Sequence, residues 1–488
     1  MRFRSTIILA LLLAGLGAYV YWVELPKAEQ ETKKKTLFEF KADDVSGVTL
    51  AYADREIALK KVGEDWRLTK PVDAAADAVT VKNLINAIAE CEVKKTLDDA
   101  KDLAQYGLDQ PFVKVTVTLK DKELPTILVG KNTPVGFSTY IQKADDPKVL
   151  LTSSAFRSGM DKQPKDVRDK TILTFSDTDV QKIELHGDGK DIVLAHTDDT
   201  WKLEQPGPYA ADAARVHTFL STLRSMRAVD FPADQPTDLH QYGLDTPRLK
   251  VAVVVGKDNA QKQVLLGSEN DKKEVYVQTN AQPTVYTVSD WVFRDLNKDP
   301  AEFRDKTVLA FDRDKIIAVD VTRSDGSTTK LVRGDDKQWR VDGAGDAKSS
   351  ATAISQYISD LHDLKGYELL ADQPTDLAPF GLDHPALKLA VIGEDHKPAG
   401  TVWLGSRQNG EGKKEYTAMA EGGPTVFLVR DYSFTRLDKQ PQDFLEKPTP
   451  TPGPKGAAPP QLGGGGDADD EPMSDEPMGD AEPGGEQD

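Results

Sequence analysis

The sequence predicts an α+β protein of three tandem modules, each a mostly antiparallel sheet with one main amphipathic helix. The first observation is a signature, Tyr/Phe-Gly-Leu-Asp-x-Pro, whose glycines at 107, 243 and 381 recur at intervals of 136 and 138 residues. The second is that each interval repeats the same order of alternating apolar segments and one helical stripe. Intervals this long indicate whole domains, because solenoid repeats are only about 20–50 residues long. A predicted transmembrane helix precedes the modules, and a predicted disordered acidic tail follows them.

The composition limits the possible functions. A length of 488 residues fits about three domains. The formal net charge of −18 argues against nucleic acid as a partner, because the phosphates would be repelled. The single cysteine, Cys91, excludes an intramolecular disulfide and a multi-cysteine metal site.

Residues 1–25 are predicted to anchor the chain in a membrane. Arg2 and Arg4 precede an uncharged apolar run over residues 6–23. As a helix this run would span about 27 Å, close to the roughly 30 Å hydrocarbon core of a bilayer. The arginines favour a cytoplasmic N-terminus in the bacterial inner membrane, with the bulk of the chain periplasmic or extracytoplasmic. A cleaved signal peptide is the alternative, although the aromatic residues that end the run make a poor cleavage site.

The remaining chain divides into a linker, three modules and a tail. The predicted boundaries are 26–36 for the linker, 37–171, 172–307 and 308–447 for modules 1 to 3, and 448–488 for the tail. Modules 1 and 2 end in the same four residues, Arg-Asp-Lys-Thr, and the next strand follows at once. We therefore expect adjacent modules to touch. The tail is rich in Pro, Gly and acidic residues and cannot bury a core, so it is predicted to be disordered.

Each module is predicted to begin with three strands. In module 1, alternating residues indicate strands over 47–52, 56–60 and 66–68. The third strand of each module carries a tryptophan that we expect to fill the core. These residues are Trp66, Trp201 and Trp339.

The main helix follows, with apolar residues at the spacing that predicts one buried face. The three stripes are Val81, Leu84, Ile85, Ile88 and Cys91; Val216, Phe219, Leu220, Leu223 and Met226; and Ile354, Tyr357, Ile358, Leu361 and Leu364. The predicted N-caps are Asp77, Asp212 and Ser350. Because Cys91 occupies the same place as Met226 and Leu364, we expect a buried, unreactive thiol.

The signature is predicted to be a corner between the main helix and a second set of four strands. Its residues are Tyr106, Gly107, Leu108, Asp109 and Pro111; Tyr242, Gly243, Leu244, Asp245 and Pro247; and Phe380, Gly381, Leu382, Asp383 and Pro385. Glycine allows a positive φ, and proline makes the preceding residue extended. The recurring aspartates are expected to accept hydrogen bonds from nearby backbone N–H groups. A short helix is predicted to close each module, over 153–160, 289–296 and 431–437.

Few residues suggest chemistry. None of the seven histidines forms a metal-binding pattern or recurs in all three modules. Residues 130–133 resemble part of a phosphate loop but lack its upstream glycine, so a strand-ending turn is predicted. The identical stretches 233–239 and 371–377 are interpreted as ordered loops, and Tyr140, Tyr276 and Tyr416 as strand-face packing. We therefore predict no catalytic residue, no cofactor and no metal.

The basic start, the apolar run, the tryptophan-bearing strands and the Tyr-Gly-Leu-Asp-x-Pro corners resemble a bacterial family labelled domain of unknown function 4340, over residues 1–447. The third copy departs from the pattern, with Phe380 for Tyr and Leu-Glu-Lys at 445–447 for Arg-Asp-Lys. The resemblance implies no established activity. It implies an accessory role in the cell envelope, since such proteins are often found beside gliding-motility-type ABC transporter components.

The predicted function is therefore a non-enzymatic, membrane-anchored extracytoplasmic scaffold or accessory protein, with protein partners that include an ABC transporter permease. The alternative is an array of ligand-binding modules for a glycan, a lipid or an exported polymer, in which the three tryptophans would line repeated grooves. A third hypothesis is an envelope enzyme, which would require perturbed carboxylates or histidines in a cleft.

Overall fold

The computed structural model describes residues 35–98, 100–345 and 347–446. The predicted anchor and tail lie outside these residues, and no helix within them is long and apolar enough to cross a membrane. The described chain forms three antiparallel sheets, which confirms the predicted fold class for this part. It divides into two compact units, Met1–Lys306 and Thr307–Asp488, and the module boundaries inside the first unit stay a prediction.

Module 1 shows how one sheet is assembled. Its elements are β1 (Val45–Ala51), β2 (Glu56–Val62), β3 (Asp65–Lys70), β4 (Ala74–Ala75), α1 (Ala78–Ala89), β5 (Lys95–Leu97), β6 (Val113–Leu119), β7 (Ile127–Asn132), β8 (Ser138–Lys143), β9 (Val149–Ser153), α2 (Ser154–Met160) and α3 (Pro164–Val167). Pairing of β1 with β6 joins two meanders into one sheet, in the order β4-β3-β2-β1-β6-β7-β8-β9-β5. Helix α1 connects the two edges, because β5 pairs with β9.

Module 2 repeats this order in a second sheet. Its elements are β10 (Val180–Gly187), β11 (Lys190–Thr197), β12 (Thr200–Gln205), β13 (Tyr209–Ala210), α4 (Ala213–Ser225), β14 (Asp230–Ala233), β15 (Leu249–Val255), β16 (Ala260–Glu269), β17 (Glu274–Thr279), β18 (Val285–Ser289), α5 (Asp290–Leu296) and α6 (Pro300–Phe303). The sheet order is β13-β12-β11-β10-β15-β16-β17-β18-β14.

Within the described residues, module 3 has the same plan without the short edge strand after its third strand. Its elements are β19 (Ile316–Arg323), β20 (Thr328–Arg333), β21 (Trp339–Val341), α7 (Ala351–His362), β22 (Glu368–Asp372), β23 (Leu387–Gly393), β24 (Pro398–Gln408), β25 (Lys414–Ala420), β26 (Thr425–Val429) and α8 (Asp431–Leu437). The order is β21-β20-β19-β23-β24-β25-β26-β22.

The helical stripes form the cores, as predicted. All five stripe residues of each module are buried, and each set packs in its own cluster. The caps are also confirmed: Asp77 accepts a hydrogen bond from the Thr80 N–H at 2.7 Å, and Asp212 and Ser350 cap α4 and α7 in the same way. A fully buried Leu or Ile contributes about 1.5–3 kcal/mol, so the stripe is the main source of helix stability.

The signature glycines adopt the predicted left-handed backbone. Each ends a 3-10 turn, and φ is 66° at Gly107 and 64° at Gly243 and Gly381. The leucine that follows each glycine is buried. In module 3, Leu382 packs with Met419 and Val426, whereas the helix packs with Val402 and Leu404 of the same sheet. Since neighbouring residues on a strand point to opposite faces, the corner covers the face that the helix leaves open.

A second glycine in each module lies in the strand beneath the corner. For Gly130 the predicted strand-ending turn was wrong. Gly130 does not end its strand but lies within β7, next to a bulge. A Cβ atom at Gly130 would overlap the carbonyl oxygen of Tyr106, and at Gly267 that of Tyr242. A Cβ atom at Gly405 would overlap the carbonyl oxygen of Gly381. The strand needs glycine because backbone meets backbone at this point.

The aspartates that hold the turn are different from those predicted. Within the described residues, the carboxylates of Asp109, Asp245 and Asp383 are exposed and accept no backbone hydrogen bond. The turn is held from upstream, where Asp102 accepts from the Ala104 N–H at 3.1 Å. The equivalents Asp238 and Asp376 accept from the N–H groups of His240 and Ala378. An aspartate before the 3-10 turn faces its free N–H groups, whereas one after the glycine faces solvent.

Two further expectations need correction. The stretches 233–239 and 371–377 are not entirely loops, because their first residues belong to the edge strands β14 and β22. The three tryptophans are only partly buried and pack against the core from its margin. Strands β14 and β22 pair with β18 and β26, more than fifty residues further along the chain, so no local pattern marks them as strands. The tryptophans lie on β3, β12 and β21, near one end of each sheet, where the core covers only part of the ring.

We predict that Gly243→Val destabilises module 2 by about 3 kcal/mol, because valine is strained at positive φ and its Cβ would lie 2.9 Å from the Ser268 nitrogen. Gly189→Val is the matched control, since Gly189 also has positive φ but nothing lies within 4 Å of its Cβ position. Calorimetric melting of both variants measures the difference. Equal shifts would show that the corner contact contributes nothing beyond backbone strain.

Candidate functional site

A cleft lies where the end of module 1 meets module 2, and we call it the joint cleft. It has two adjoining lobes of ≈ 360 Å³ and ≈ 610 Å³, which share Val72, Arg168, Phe231 and Asp234 as lining residues. Module 1 supplies the turn after β3 and the segment from α3 to residue 171. Module 2 supplies β14 with the loop after it, and the turn before β18.

Arg168 is the central side chain of the joint cleft. It is 7% exposed, although it belongs to a residue type that is seldom buried. Its Nη2 lies 2.6 Å from Oδ1 of Asp234, and its guanidinium lies 3.8 Å from the centroid of the Phe231 ring. Both partners come from module 2. Arginine suits this place because its planar cation can stack on a ring and pair with a carboxylate at once.

A second ion pair crosses the joint beside Arg168. Lys165 Nζ lies 3.0 Å from Oδ2 of Asp230. The hydrogen bond to Asp230 raises the pKa of Lys165. Burial alone would raise the pKa of Asp230, but the hydrogen bonds from Lys165 and from the Phe231 N–H outweigh it and lower that pKa. Both groups therefore stay charged at neutral pH, and the pair persists.

Residues 168–171, which we call the joint linker, are paired to both modules. Arg168 forms an antiparallel bridge with Ala76 of module 1, and Thr171, three residues later, forms one with Arg227 of module 2. The backbone N–H of Ala228 also donates to the carbonyl of Lys170 at 2.8 Å. A linker held on both sides over so few residues cannot act as a flexible tether.

The same local pairing recurs at the end of module 2. Arg304 bridges Ala211 and stacks over Tyr209 at 3.5 Å from the ring centroid. Arg304 is 7% exposed, like Arg168. The repeated Arg-Asp-Lys-Thr segment is thus a local structure in which a buried arginine covers an aromatic ring.

The charged groups of the joint cleft pair with one another across the two modules. We call the contacts of Arg168 with Asp234 and Phe231 the clamp. The cationic groups at the centre of the cleft are neutralised by Asp230 and Asp234, and its walls are the rings of Phe231 and Tyr286. Burial raises the pKa of Tyr286, so the phenol stays neutral. In the described part of the chain, no group of three or more His, Cys, Asp or Glu side chains is placed to hold a metal ion.

A comparison with family models gives three matches along the chain, to the Domain of unknown function (DUF4340). They cover residues 66–236, 201–339 and 339–449, and each begins at one of the three repeated tryptophans. The chain belongs to this family. No curated protein matches the sequence. The three tandem DUF4340 copies agree with the number of sheets and with the repeat of the signature.

The signature residues of each DUF4340 copy pack within their own module. Each set lies in the 3-10 turn and loop that precede a strand of its own sheet, and none of these residues lines the joint cleft. Tyr106 packs on Tyr140 with ring centroids 4.8 Å apart, and Tyr242 packs on Tyr276 at 5.0 Å. In the third copy Phe380 packs instead in the cluster around Leu382. We therefore interpret the signature as part of the DUF4340 scaffold.

The joint residues were not identified as a site from the sequence. The signal was present, because Arg168 and Arg304 recur in the same four-residue motif. Asp234 also lies in a repeated stretch, 233–239, whereas Phe231 has no such mark, and the role of both depends on contacts across more than sixty residues of chain. The Cys91 prediction is confirmed, since the thiol is buried near Thr152 and burial raises its pKa to about 11.

We predict that Arg168→Ala lowers the stability of the joint by about 2–3 kcal/mol, because it leaves Asp234 partly buried without its cation and uncovers Phe231. Arg67→Ala is the matched control on the rim of the same cleft. Its pair with Asp73 is exposed and contributes at most about 1 kcal/mol. Amide hydrogen exchange in residues 168–171 should rise in the first variant only. Equal exchange in both would contradict the clamp.

Proposed function

We propose that this DUF4340 protein is a non-enzymatic, membrane-anchored extracytoplasmic scaffold that holds its first two modules at a fixed spacing for a protein partner in the envelope. The observation that carries the proposal is the joint linker, which is paired to both modules. Its Arg168 pairs with Asp234 and stacks on Phe231. A rigid arrangement of modules favours binding to a partner at several points, because less conformational entropy is lost on binding.

Two features of the sequence support the membrane and partner assignments. The uncharged run over residues 6–23 has the length and flanking arginines of an anchor. The family resemblance suggests an ABC transporter permease as the partner, by association with such components. Both assignments are part of the proposal.

We expect the full-length tagged chain, expressed at its native level, to co-purify an ABC transporter permease from detergent-solubilised membranes. Arg168→Ala should reduce the recovered permease several-fold, because it loosens the spacing of the two modules. Arg67→Ala should leave recovery unchanged. Absence of the permease from the wild-type sample would refute the partner assignment, and equal recovery from both variants would refute the need for a rigid joint.

A second candidate function is the binding of an envelope glycan, and one groove favours it. A groove of ≈ 610 Å³ beside the joint linker is lined by Trp66, Asp77 and Arg227. The exposed side chains of Val62 and Val79 also line it. An aromatic ring flanked by an acid and a guanidinium is suited to stacking and hydrogen bonding with a sugar ring.

If this groove binds glycan, Val79→Asp should reduce co-sedimentation of the full chain with isolated cell-wall sacculi several-fold. Val79 is 68% exposed, so the substitution should not affect folding. Tyr432→Asp changes a similarly exposed side chain of the other compact unit and serves as the control. No binding of the wild-type chain, or equal binding of both variants, would remove this candidate.

A further inference from the structure

The hairpin between β7 and β8 of module 1 ends in an apolar tip, which we define as residues 133–138. Its side chains Val135 and Phe137 are 86% and 88% exposed, the two highest values among the large apolar side chains of the described residues. Single exposed apolar residues are common on protein surfaces, but Val135 and Phe137 stand only two positions apart at one hairpin end. The tip therefore needs an explanation.

The tip is held in a defined conformation. The Thr133 N–H donates to the Ser138 carbonyl at 2.8 Å, and the Thr133 hydroxyl donates to the Val135 carbonyl at 2.7 Å. The Ser154 N–H, at the start of α2, donates to the Phe137 carbonyl at 3.0 Å. These bonds keep both apolar side chains outward, so their exposure is a property of the folded hairpin.

Phe137 adopts this position at a cost. Its φ is 47°, in the left-handed region that bulky residues avoid. A strained backbone and a solvated aromatic ring both disfavour the conformation, and nothing in the packing of module 1 requires phenylalanine there. The same hairpin position also has positive φ in module 2, at Lys273 (63°), and in module 3, at Gly412 (76°), so the turn sets this backbone and the exposed phenylalanine side chain is what distinguishes module 1.

The tip differs from the same hairpin in the other two modules. From Asn132 to Gln142 the chain has no charged residue. The corresponding hairpin of module 2 carries Glu269, Asp271, Lys272, Lys273 and Glu274, and that of module 3 carries Arg407, Glu411, Lys413, Lys414 and Glu415. The shared scaffold therefore does not need an apolar tip, and the feature belongs to module 1 alone.

Module 1 is also the module next to the apolar N-terminal run. Eleven residues, 24–34, separate that run from the described chain, and they can extend over about 38 Å. The tip lies at the far end of β8 from Lys143, whose Nζ is 4.7 Å from the Phe38 ring centroid near the chain start. A six-residue strand is about 20 Å long, so the connection can reach past the module and leave the tip on the bilayer.

From these observations we infer that the tip is a membrane contact: Val135 and Phe137 insert between the headgroups of the bilayer in which the N-terminal run is anchored. The inference rests on the proposed membrane anchoring. An uncharged tip can enter the interfacial region without burying a charge, and an aromatic ring is favoured there. With the anchor, it would hold module 1 at two points and fix its orientation to the membrane.

The test uses the full-length chain reconstituted into vesicles of phosphatidylethanolamine and phosphatidylglycerol. Val135→Cys carries the environment-sensitive fluorophore NBD, and Phe137 is kept. Cys91 should not react, because its thiol is buried and its pKa is raised. Lys272→Cys, at the charged hairpin of module 2, is the matched control. A second labelled variant combines Val135→Cys with Phe137→Asp, since aspartate tolerates positive φ better than phenylalanine.

We expect NBD at position 135 to show a blue shift, a several-fold rise in emission and quenching by lipid-attached nitroxides. The control at 272 should stay in water, and Phe137→Asp should abolish the response at 135. Flotation of the vesicles tests the anchor separately. Chain that floats with a water-exposed probe at 135 would overturn the tip contact and leave the anchor intact. Chain that does not float, with the same water-exposed probe, would overturn both. A blue shift in native membranes but not in lipid vesicles would assign the tip to a protein partner and overturn the lipid contact.

Discussion

The contact between the signature corner and the strand glycine is the constraint on which each module depends. The corner must turn at positive φ, so a glycine is required at 107, 243 and 381. It must then lie flat against the sheet, so a second glycine is required in the strand below it, as at 267. The buried leucine after the turn closes the face opposite to the main helix. Two glycines and one leucine thus cover the sheet face that the one long helix leaves open.

The repeat also shows where the chain departs from its common plan. The helix stripes, caps and corners recur in all three DUF4340 copies, whereas the hairpin tip and the Phe231 ring of the joint depend on residues outside the shared pattern. Arg168 connects two modules because Phe231 and Asp234 happen to lie within reach of it. Repetition preserves the packing that each module needs, and it leaves edges, turns and linkers free to acquire contacts of their own.

The joint and the tip support a common picture of the proposed scaffold. The joint linker would restrict motion between the first two modules. The apolar hairpin tip on module 1, the module nearest the anchor, would restrict motion relative to the membrane. In the proposed scaffold both would act through surface contacts. The burial of Cys91, with its raised pKa, agrees with a core role for the one thiol in the chain. The groove at Trp66 keeps a glycan-binding role as an alternative that uses the same joint.

The sequence by itself determined the number of modules, the main helix of each with its cap and buried face, and the left-handed glycine of each corner. These features follow from local rules, because periodicity, capping and backbone strain involve residues a few positions apart. Tertiary structure alone decided the edge pairing of β14 and β22, the partial burial of the tryptophans, the role of Asp102 in place of Asp109, and the strand position of Gly130. It also decided the joint cleft, since the partners of Arg168 lie about sixty residues further along the chain. Contacts between distant segments depend on how the sheet closes, and no local pattern in one sequence records that closure.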